Sequence, residues 1–169
     1  IPNDKSVEIP DSTQLKLIHG YYACISFVDD QIGRLVSKLK ELDLYNDAII
    51  VFVGDHGWQL GEHNLWAKHC NFQTSLKVPL LIKCPNQTET KRIKSVVELV
   101  DIFPTLCDIS NLDYPIHLQG KSLTSVNKKD NSNTIGFSTY KKGTTITTSN
   151  YSYTKWQNDN NELIGQMLF

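Results

Sequence analysis

Residues 48–68 read AIIVFVGDHGWQLGEHNLWAK, an apolar run that changes abruptly into glycines and polar side chains. The apolar part, residues 48–53, is bounded by turn-forming residues, and such a continuous run predicts a strand covered on both faces. In open α/β sheets, ligands bind beyond the carboxyl ends of the strands. We therefore expect Asp55 and His56 to lie at a ligand-binding edge, where a carboxylate and an imidazole can turn toward one ion.

A long helix is predicted before this strand. Apolar side chains recur at three- and four-residue intervals from Leu15 to Leu42, which is the spacing of one helix face. Either Asp11 or Ser12 can cap the start of this helix, and the turn-forming residues 43–47 end it. A helix followed by a buried strand predicts an α/β domain.

Two further strands and a short helix are predicted after the loop. The strands cover residues 78–83 and 95–100, both rich in β-branched or other apolar side chains. Asp101 can cap a helix over residues 102–109, with Pro104 in its first turn.

From residue 134 onward the pattern is typical of a small antiparallel sheet. Strand-like runs alternate there with turn residues, and the runs cover residues 134–140, 144–149, 151–156 and 162–169. We expect an α/β domain over residues 1–123 and a small antiparallel β subdomain over residues 124–169, with the polar residues 124–133 as the linker.

Charge and composition argue against several classes of partner. Lys and Arg total 17 against 18 Asp and Glu, so no net field favours nucleic acid or an anionic membrane, and neither partner is expected. No apolar run approaches the roughly 20 residues that span a bilayer, and the first residues do not resemble a targeting segment. Because the chain starts without Met and ends on an apolar run, we expect it to be a fragment.

The loop at residues 54–68 allows two interpretations. An Asp-His-Gly sequence after a strand is also typical of a simple turn, in which Asp55 bonds to its own backbone. Against this, a Glu, a His, a Trp and a Lys follow within one loop that has no apolar periodicity of its own. Loops carry binding and catalytic residues more often than cores do, so the presence of these neighbouring side chains favours a metal site.

Three motifs in this loop resemble the sulfatase branch of the alkaline-phosphatase-like superfamily, and most nearly its iduronate-2-sulfatase type. They are DHG at residues 55–57, LGEH at residues 60–63 and WAK at residues 66–68. Further agreeing stretches are YYA at 21–23, GRL at 33–35, VPL at 78–80 and ELVDIFPTL at 98–106. The resemblance implies an α/β/α sandwich, of which residues 1–123 would be the C-terminal part, followed by a small antiparallel sheet.

The same resemblance implies roles for residues of the loop. Asp55 and His56 would be ligands of an active-site divalent cation, usually calcium, and Lys68 would contact the sulfate as a catalytic and substrate-binding residue. Oxygen-rich sites select hard cations, and the softer imidazole of His56 is an unusual ligand for calcium. A compact ammonium group suits a sulfate oxygen that gains charge as the S–O bond breaks.

The resemblance also implies hydrolysis by a formylglycine, made from Cys or Ser in a Cys/Ser-x-Pro/Ala-x-Arg motif. None of the four cysteines is followed by residues that fit it; they are Cys24, Cys70, Cys84 and Cys107. Their spacing contains no CxxC pair and no dense disulfide framework, and the sequence is compatible with one disulfide whose partners it does not assign. We therefore expect the nucleophile in an N-terminal half, which would be the partner of this chain, and we expect the chain alone to be inactive. The implied substrate is a sulfated carbohydrate of iduronate-2-sulfate type, and the implied location is periplasmic, secreted or lysosomal.

Several side chains near the motifs have both a binding and a structural interpretation. Glu62 and His63 could form a wall of the substrate pocket or orient His56, or they could simply be solvated. Trp66 could pack against a sugar ring or anchor the loop, and anchoring is favoured for Trp58.

Residues farther along the chain leave similar alternatives. His69 could reach a carboxylate or sulfate of the substrate. The pair Lys141 and Lys142 could meet an acidic sugar or lie solvated on a turn. Two other functions also stay open. One is a phosphatase or phosphodiesterase of the same superfamily, whose metal sites likewise use an Asp-His pair after a strand, and the other is a non-catalytic sugar-binding module.

Overall fold

The computed structural model describes residues 9–124 and 134–169, and the chain divides into two compact units. Unit 1 comprises Ile1–Lys68 and Lys77–Thr88, and unit 2 comprises His69–Leu76 and Glu89–Phe169. The predicted linker lies, from residue 125 to residue 133, outside the described residues. The boundary between residues 123 and 124 stays a prediction.

Unit 1 begins with the helix α1, Asp11–Glu41, close to the predicted range. Pro10 is its N-cap and no side chain caps it, so the expected cap by Asp11 or Ser12 was wrong. Proline needs no donor partner at a helix start, and Asp11 instead lies in the first turn, where the helix dipole favours negative charge. No residue of α1 is buried, and the apolar Leu15 is 67% exposed.

The apolar run before the loop forms the strand β1, Ile50–Val53, as predicted. It pairs antiparallel with β4, Leu80–Lys83, so that Ile50 lies opposite Lys83. These two strands make a two-stranded sheet within the described residues. The expected cover on both faces is wrong for this chain, because Phe52 and Val53 are each 40% exposed.

The loop after β1 contains a short hairpin that the sequence pattern did not indicate. Its strands are β2, Gln59–Leu60, and β3, Trp66–Ala67, and they pair antiparallel. A single 3-10 turn, Glu62–Asn64, joins them. The loop is therefore regular structure held by backbone hydrogen bonds.

Unit 2 contains two helices, α2 at Gln73–Leu76 and α3 at Ile102–Ile109. The bounds of α3 are those predicted, but the strand expected at residues 95–100 is absent from the described structure. A 3-10 turn, Leu99–Asp101, takes part of its place. Glu98 and Asp101 each accept a hydrogen bond from the backbone of the other in a capping box, which turns the chain toward α3.

Unit 2 also contains the predicted antiparallel sheet, with four strands in sequential order. The strands are β5 at Gly136–Tyr140, β6 at Gly143–Thr147, β7 at Ser152–Gln157 and β8 at Leu163–Leu168. Its interior includes the buried Thr145 and Thr154, whose hydroxyl oxygens lie 2.8 Å apart. All four cysteines of the chain are free thiols. Among the described helices, none is both long and apolar enough to cross a lipid bilayer.

Candidate active site

The chain leaves β1 at Gly54, which packs closely against the start of β4. The Gly54 amide donates to the Pro79 carbonyl oxygen at 3.1 Å. A Cβ at position 54 would lie 3.2 Å from Pro79 Cδ and 3.3 Å from Val78 Cβ. Glycine therefore allows the close approach at this strand end, and the next side chain is that of Asp55.

Asp55 extends into solvent, with 88% of its side chain exposed. Its Oδ1 accepts a hydrogen bond from the His56 amide at 3.0 Å, which is the local bond expected of a simple turn. Its Oδ2, however, lies 3.4 Å from His56 Nε2. The Asp55 carboxylate therefore makes the local hydrogen bond of a turn and also approaches the His56 ring.

The hydrogen bond of the other imidazole nitrogen determines the tautomer of His56. His56 Nδ1 lies 2.9 Å from the carbonyl oxygen of Gly57. A carbonyl oxygen only accepts, so Nδ1 carries the hydrogen, and in the neutral ring Nε2 presents a lone pair. The group that orients His56 is consequently the backbone of its neighbour rather than Glu62, which sequence considerations had suggested.

One aromatic ring stacks on His56, and a second ring stacks on the first. The His56 and Trp58 rings are stacked with centroids 6.3 Å apart, and Trp58 stacks in turn on Tyr21 of α1 at 6.2 Å. Trp58 thus anchors the loop to the helix, as favoured from the sequence. Tyr21 was missed, because nothing in the spacing of a helix shows which of its residues will contact a distant loop.

The β2–β3 hairpin has an unusual backbone and a buried anchor. Trp66 is 5% exposed, and Gly61 approaches its ring with a φ of 114°. So buried a ring offers little surface to a sugar, which favours the anchoring role. Glu62 Oε2 accepts from the Leu60 amide at 2.6 Å and so stabilises the turn. His63 is exposed and has a φ of 55°.

Lys68 follows a residue with a strained backbone. Ala67 has a φ of 69°, in the left-handed region that residues with a Cβ rarely adopt. Lys68 itself is exposed and forms no ion pair with any residue in the described ranges. Such an ammonium group is available to an anionic ligand. Lys68 and the pair Asp55 and His56 belong to the same unit.

His69, the next residue, belongs to unit 2. It is exposed, and its ring stacks on that of Tyr140 with centroids 5.4 Å apart and an angle of 11° between the planes. The structure therefore gives His69 a defined orientation, and no sequence pattern indicated that Tyr140 would be its partner.

The pair Asp55 and His56 fits a divalent cation as part of a larger ligand set. Two ligand atoms 3.4 Å apart can occupy neighbouring positions around a cation bound at roughly 2.3–2.6 Å. A carboxylate oxygen and an imidazole lone pair that face each other also repel unless a cation or proton lies between them. Within residues 9–124 and 134–169, no group of three or more His, Cys, Asp or Glu could hold a metal ion. A cation held by this pair would therefore need further ligands from groups other than these.

Known proteins resemble this chain in both sequence and fold. A family model described as sulfatase matches residues 2–112. Human iduronate 2-sulfatase is 36% identical over 132 residues, which cover 63% of this chain and 24% of the human protein. A sulfatase of Formosa agariphila is 34% identical over 150 residues, which cover 87% of this chain and 30% of that protein. The chain thus spans less than a third of the length of these relatives.

A solved structure extends the comparison to the fold. The phosphonate monoester hydrolase of Silicibacter pomeroyi superposes with a TM-score of 0.83 over 96% of this chain and 36% of its own, at 24% identity. At that identity the likeness concerns the fold alone. It confirms the predicted fold class, an alkaline-phosphatase-like α/β architecture followed by a small antiparallel sheet.

Proposed function

Because the chain belongs to the sulfatase family, we propose that the protein to which it contributes is a sulfuric ester hydrolase acting on a sulfated sugar. The observation that carries the proposal is the geometry at the end of β1. There Asp55 Oδ2 and His56 Nε2 lie 3.4 Å apart. Lys68 belongs to the same unit, and its ammonium group makes no ion pair among the described residues.

We assign Asp55 and His56 to the binding of a divalent cation. Asp55 supplies an anionic oxygen, and His56 binds through Nε2 because its Nδ1 hydrogen is held by the Gly57 carbonyl. When bound, the cation would polarise a sulfate oxygen and stabilise the charge that develops there. Calcium is the proposed metal, since hard oxygen ligands favour it, while the imidazole leaves room for a softer cation.

Lys68 is the residue that we assign to the sulfate itself. Its ammonium group is exposed and makes no ion pair among residues 9–124 and 134–169, so no carboxylate of the described chain competes for it. A positive charge held beside the ester stabilises the oxygen that becomes more negative as the S–O bond breaks. In this role Lys68 binds the substrate and lowers the barrier to hydrolysis.

The nucleophile and the remaining cation ligands are proposed to come from sequence outside these 169 residues. No Cys/Ser-x-Pro/Ala-x-Arg motif, from which a formylglycine could form, occurs here. The apolar side chains of α1 and β1 support the same proposal. No residue of α1 is buried, and Phe27 and Phe52 are exposed, so these surfaces suit burial against the rest of a larger α/β domain. The chain alone is accordingly proposed to be inactive.

The proposed substrate class is a sulfated sugar of the glycosaminoglycan type. The human relative, iduronate 2-sulfatase, which is 36% identical over 132 residues, supports this class. Glu62 and His63, both exposed on the hairpin after the Asp-His pair, are the residues that we assign to the wall of the substrate pocket. Export to a periplasmic, secreted or lysosomal location is proposed with this function, and fractionation of cells would test it.

The test is turnover by the full-length protein of 4-nitrophenyl sulfate and 4-nitrophenyl phosphate, each with and without a chelator. We expect hydrolysis of the sulfate ester that the chelator abolishes and added divalent cation restores. Faster hydrolysis of the phosphate would instead support the phosphatase alternative. If the folded protein hydrolyses neither ester but binds a sulfated sugar, it is a binding module.

A further inference from the structure

The apolar pattern of β1 and β4 does not by itself determine how the two strands are aligned. Their sequences are Ile-Val-Phe-Val at residues 50–53 and Leu-Leu-Ile-Lys at residues 80–83. Because successive side chains of a strand point to opposite faces, strands shifted by one residue would still present apolar side chains on both faces. Such a shift turns every side chain of the strand to the other face. Another feature of unit 1 must therefore set the register.

The side chain of Lys83 joins the end of β4 to the segment that leads into β1. Its Nζ donates to the carbonyl oxygens of Asn46 at 3.1 Å, Ala48 at 3.2 Å and Cys84 at 3.4 Å. It also lies 4.8 Å from the centroid of the Tyr45 ring. An ammonium group has three hydrogens to donate, so the three carbonyl oxygens use its full capacity.

The bonds from Lys83 are specific to the observed register. Lys83 lies opposite Ile50, the first residue of β1, and Ala48 precedes Ile50 by two residues. A shift of β1 by one residue would move the preceding segment by roughly 3.3 Å along β4. With the lysine in its present conformation, bonds of 3.1 and 3.2 Å would then be lost. Lys83 therefore favours the observed register over its two neighbours.

The opposite end of β1 is restrained less strongly. In a shifted register, a residue with a Cβ would take the place of Gly54 beside Pro79. That Cβ would lie 3.2 Å from Pro79 Cδ, a contact that a movement of a few tenths of an ångström relieves. The close approach at Gly54 thus opposes a shift by shape alone. Lys83 contributes hydrogen bonds from a charged donor, which are roughly twice as strong as neutral ones.

We propose that Lys83 is a positioning residue of the cation site, and that it acts by fixing the register of β1 against β4. Asp55 and His56 follow β1 after one glycine, so the face to which they point depends on this register. A shifted strand would direct the pair away from the groups that complete the site. The inference rests on the proposed function, because the cation site belongs to it.

Disulfide trapping in the metal-free full-length protein can report the register. The Gly54 amide donates to the Pro79 carbonyl oxygen across the strand pair. Hydrogen-bonded and non-hydrogen-bonded pairs alternate along antiparallel strands, so Val51 and Ile82 form a non-hydrogen-bonded pair. The Cα atoms of such a pair lie roughly 4.5 Å apart, within disulfide range. Val51→Cys with Ile82→Cys therefore reports the observed register.

Two other cysteine pairs report a shift in either direction. They are Val51→Cys with Leu81→Cys, and Phe52→Cys with Ile82→Cys; in the observed register the members of each pair are offset by one residue. We expect one or both of these pairs to cross-link when Lys83→Met is present and neither to do so when Lys83 is retained. Mass spectrometry of the linked peptides distinguishes these bonds from links to the native cysteines. Trapping of the observed register alone in the Lys83→Met protein would overturn the proposal.

The apparent affinity for a divalent cation should change with the register. If Lys83→Met makes the observed register and its two neighbours equally populated, the metal dissociation constant rises about threefold. A chelator competition titration of the full-length protein measures this. Lys40→Met is the matched control, because Lys40 Nζ lies 5.0 Å from the centroid of the same Tyr45 ring, whereas the three carbonyl contacts belong to Lys83. Equal effects of the two variants would contradict the proposed role.

A purely stabilising role of Lys83 predicts a different result. In that case Lys83→Met lowers the free energy of unfolding in a denaturant titration, while the folded protein keeps its metal dissociation constant and yields no shifted cross-link. That combination refutes the inference. Failure of the proposed function is separate, because the trapping experiment contains no metal. If the original protein neither binds a cation nor hydrolyses a sulfate ester, a shifted cross-link still supports register control by Lys83 and only the cation site is overturned.

Discussion

His56 Nδ1 donates its hydrogen to the carbonyl oxygen of Gly57 at 2.9 Å, and this contact leaves Nε2 facing the Asp55 carboxylate. The orientation of the imidazole is thus determined by the backbone of the same turn. A ligand held in this way loses little conformational freedom when it binds a cation. The cation site of the proposed sulfatase is therefore partly preorganised in this chain.

Asp55→Ala in the full-length protein should lower metal occupancy, because it removes an anionic ligand and leaves the imidazole of His56 as the ligand that we assign in this chain. Removing a group that hydrogen-bonds to a metal ligand typically weakens metal binding by roughly 10- to 100-fold. Because Asp55 is itself the ligand, we expect a larger rise in the metal dissociation constant. Metal content after dialysis at a fixed cation concentration measures this. Asp47→Ala, which removes an exposed carboxylate before the same strand, is the control. Unchanged occupancy in Asp55→Ala would refute the ligand assignment.

Lys68→Ala should lower sulfate turnover and leave metal occupancy unchanged. A charge that acts on the developing oxyanion affects kcat, and we expect a loss of about 10²- to 10³-fold, as for removal of an oxyanion donor. Steady-state kinetics with 4-nitrophenyl sulfate, together with metal analysis, separate the two effects. Lys77→Ala, another exposed lysine of unit 1, is the control. Loss of metal together with activity would count against a role at the sulfate.

Trp58→Ala should weaken cation binding without removing a ligand. The substitution deletes the ring between Tyr21 and His56, so the imidazole gains freedom that cation binding must then restrict. We expect the metal dissociation constant to rise roughly tenfold, as measured by a chelator competition titration. Trp58→Phe keeps an aromatic ring and should bind the cation nearly as well as the original protein. Equal weakening in both variants would show that stacking is not the cause.

Substitutions at Ala67 should reveal the strain before Lys68. Its φ of 69° disfavours any residue with a Cβ, and β-branched residues most of all. We expect Ala67→Val to lower the free energy of unfolding by about 1–3 kcal/mol. Ala67→Gly should change it by less than about 1 kcal/mol, because relief of strain and a more flexible unfolded chain oppose each other. Denaturant unfolding checks both, and a tolerated valine would contradict the backbone assignment.

Gly143→Ala should destabilise the small sheet, because a Cβ there would meet Trp156 Nε1 at 2.6 Å and Asn71 Oδ1 at 3.0 Å. We expect a loss of about 1–3 kcal/mol in the free energy of unfolding, the usual range for overpacking. Gly165→Ala, in β8 of the same sheet, is the matched control, since its Cβ would meet Trp156 at an ordinary 3.7 Å. If both variants unfold alike in a denaturant titration, the tight contact at Gly143 is not significant.

Much of the fold could be predicted because its determinants are local. The apolar spacing predicted α1, the continuous apolar run predicted β1, and alternation with turn residues predicted the four strands of the sheet. The strand expected at residues 95–100 was wrong for an equally local reason. There the reciprocal bonds between Glu98 and Asp101 satisfy the backbone in a turn, and this outweighs the preference of the β-branched residues for a strand.

The sequence by itself determined which side chains follow β1, because Asp55 and His56 are adjacent and Lys68 lies 13 residues after Asp55. Only the tertiary structure decided which imidazole nitrogen is presented, that Lys142 pairs with Asp159, and that Asn71 bonds to Gly143 and Thr145, 72 and 74 residues away. The physical reason is the distance along the chain over which each kind of signal acts. Periodicity reports the direction of side chains within one element, whereas a contact between distant segments depends on how those elements pack.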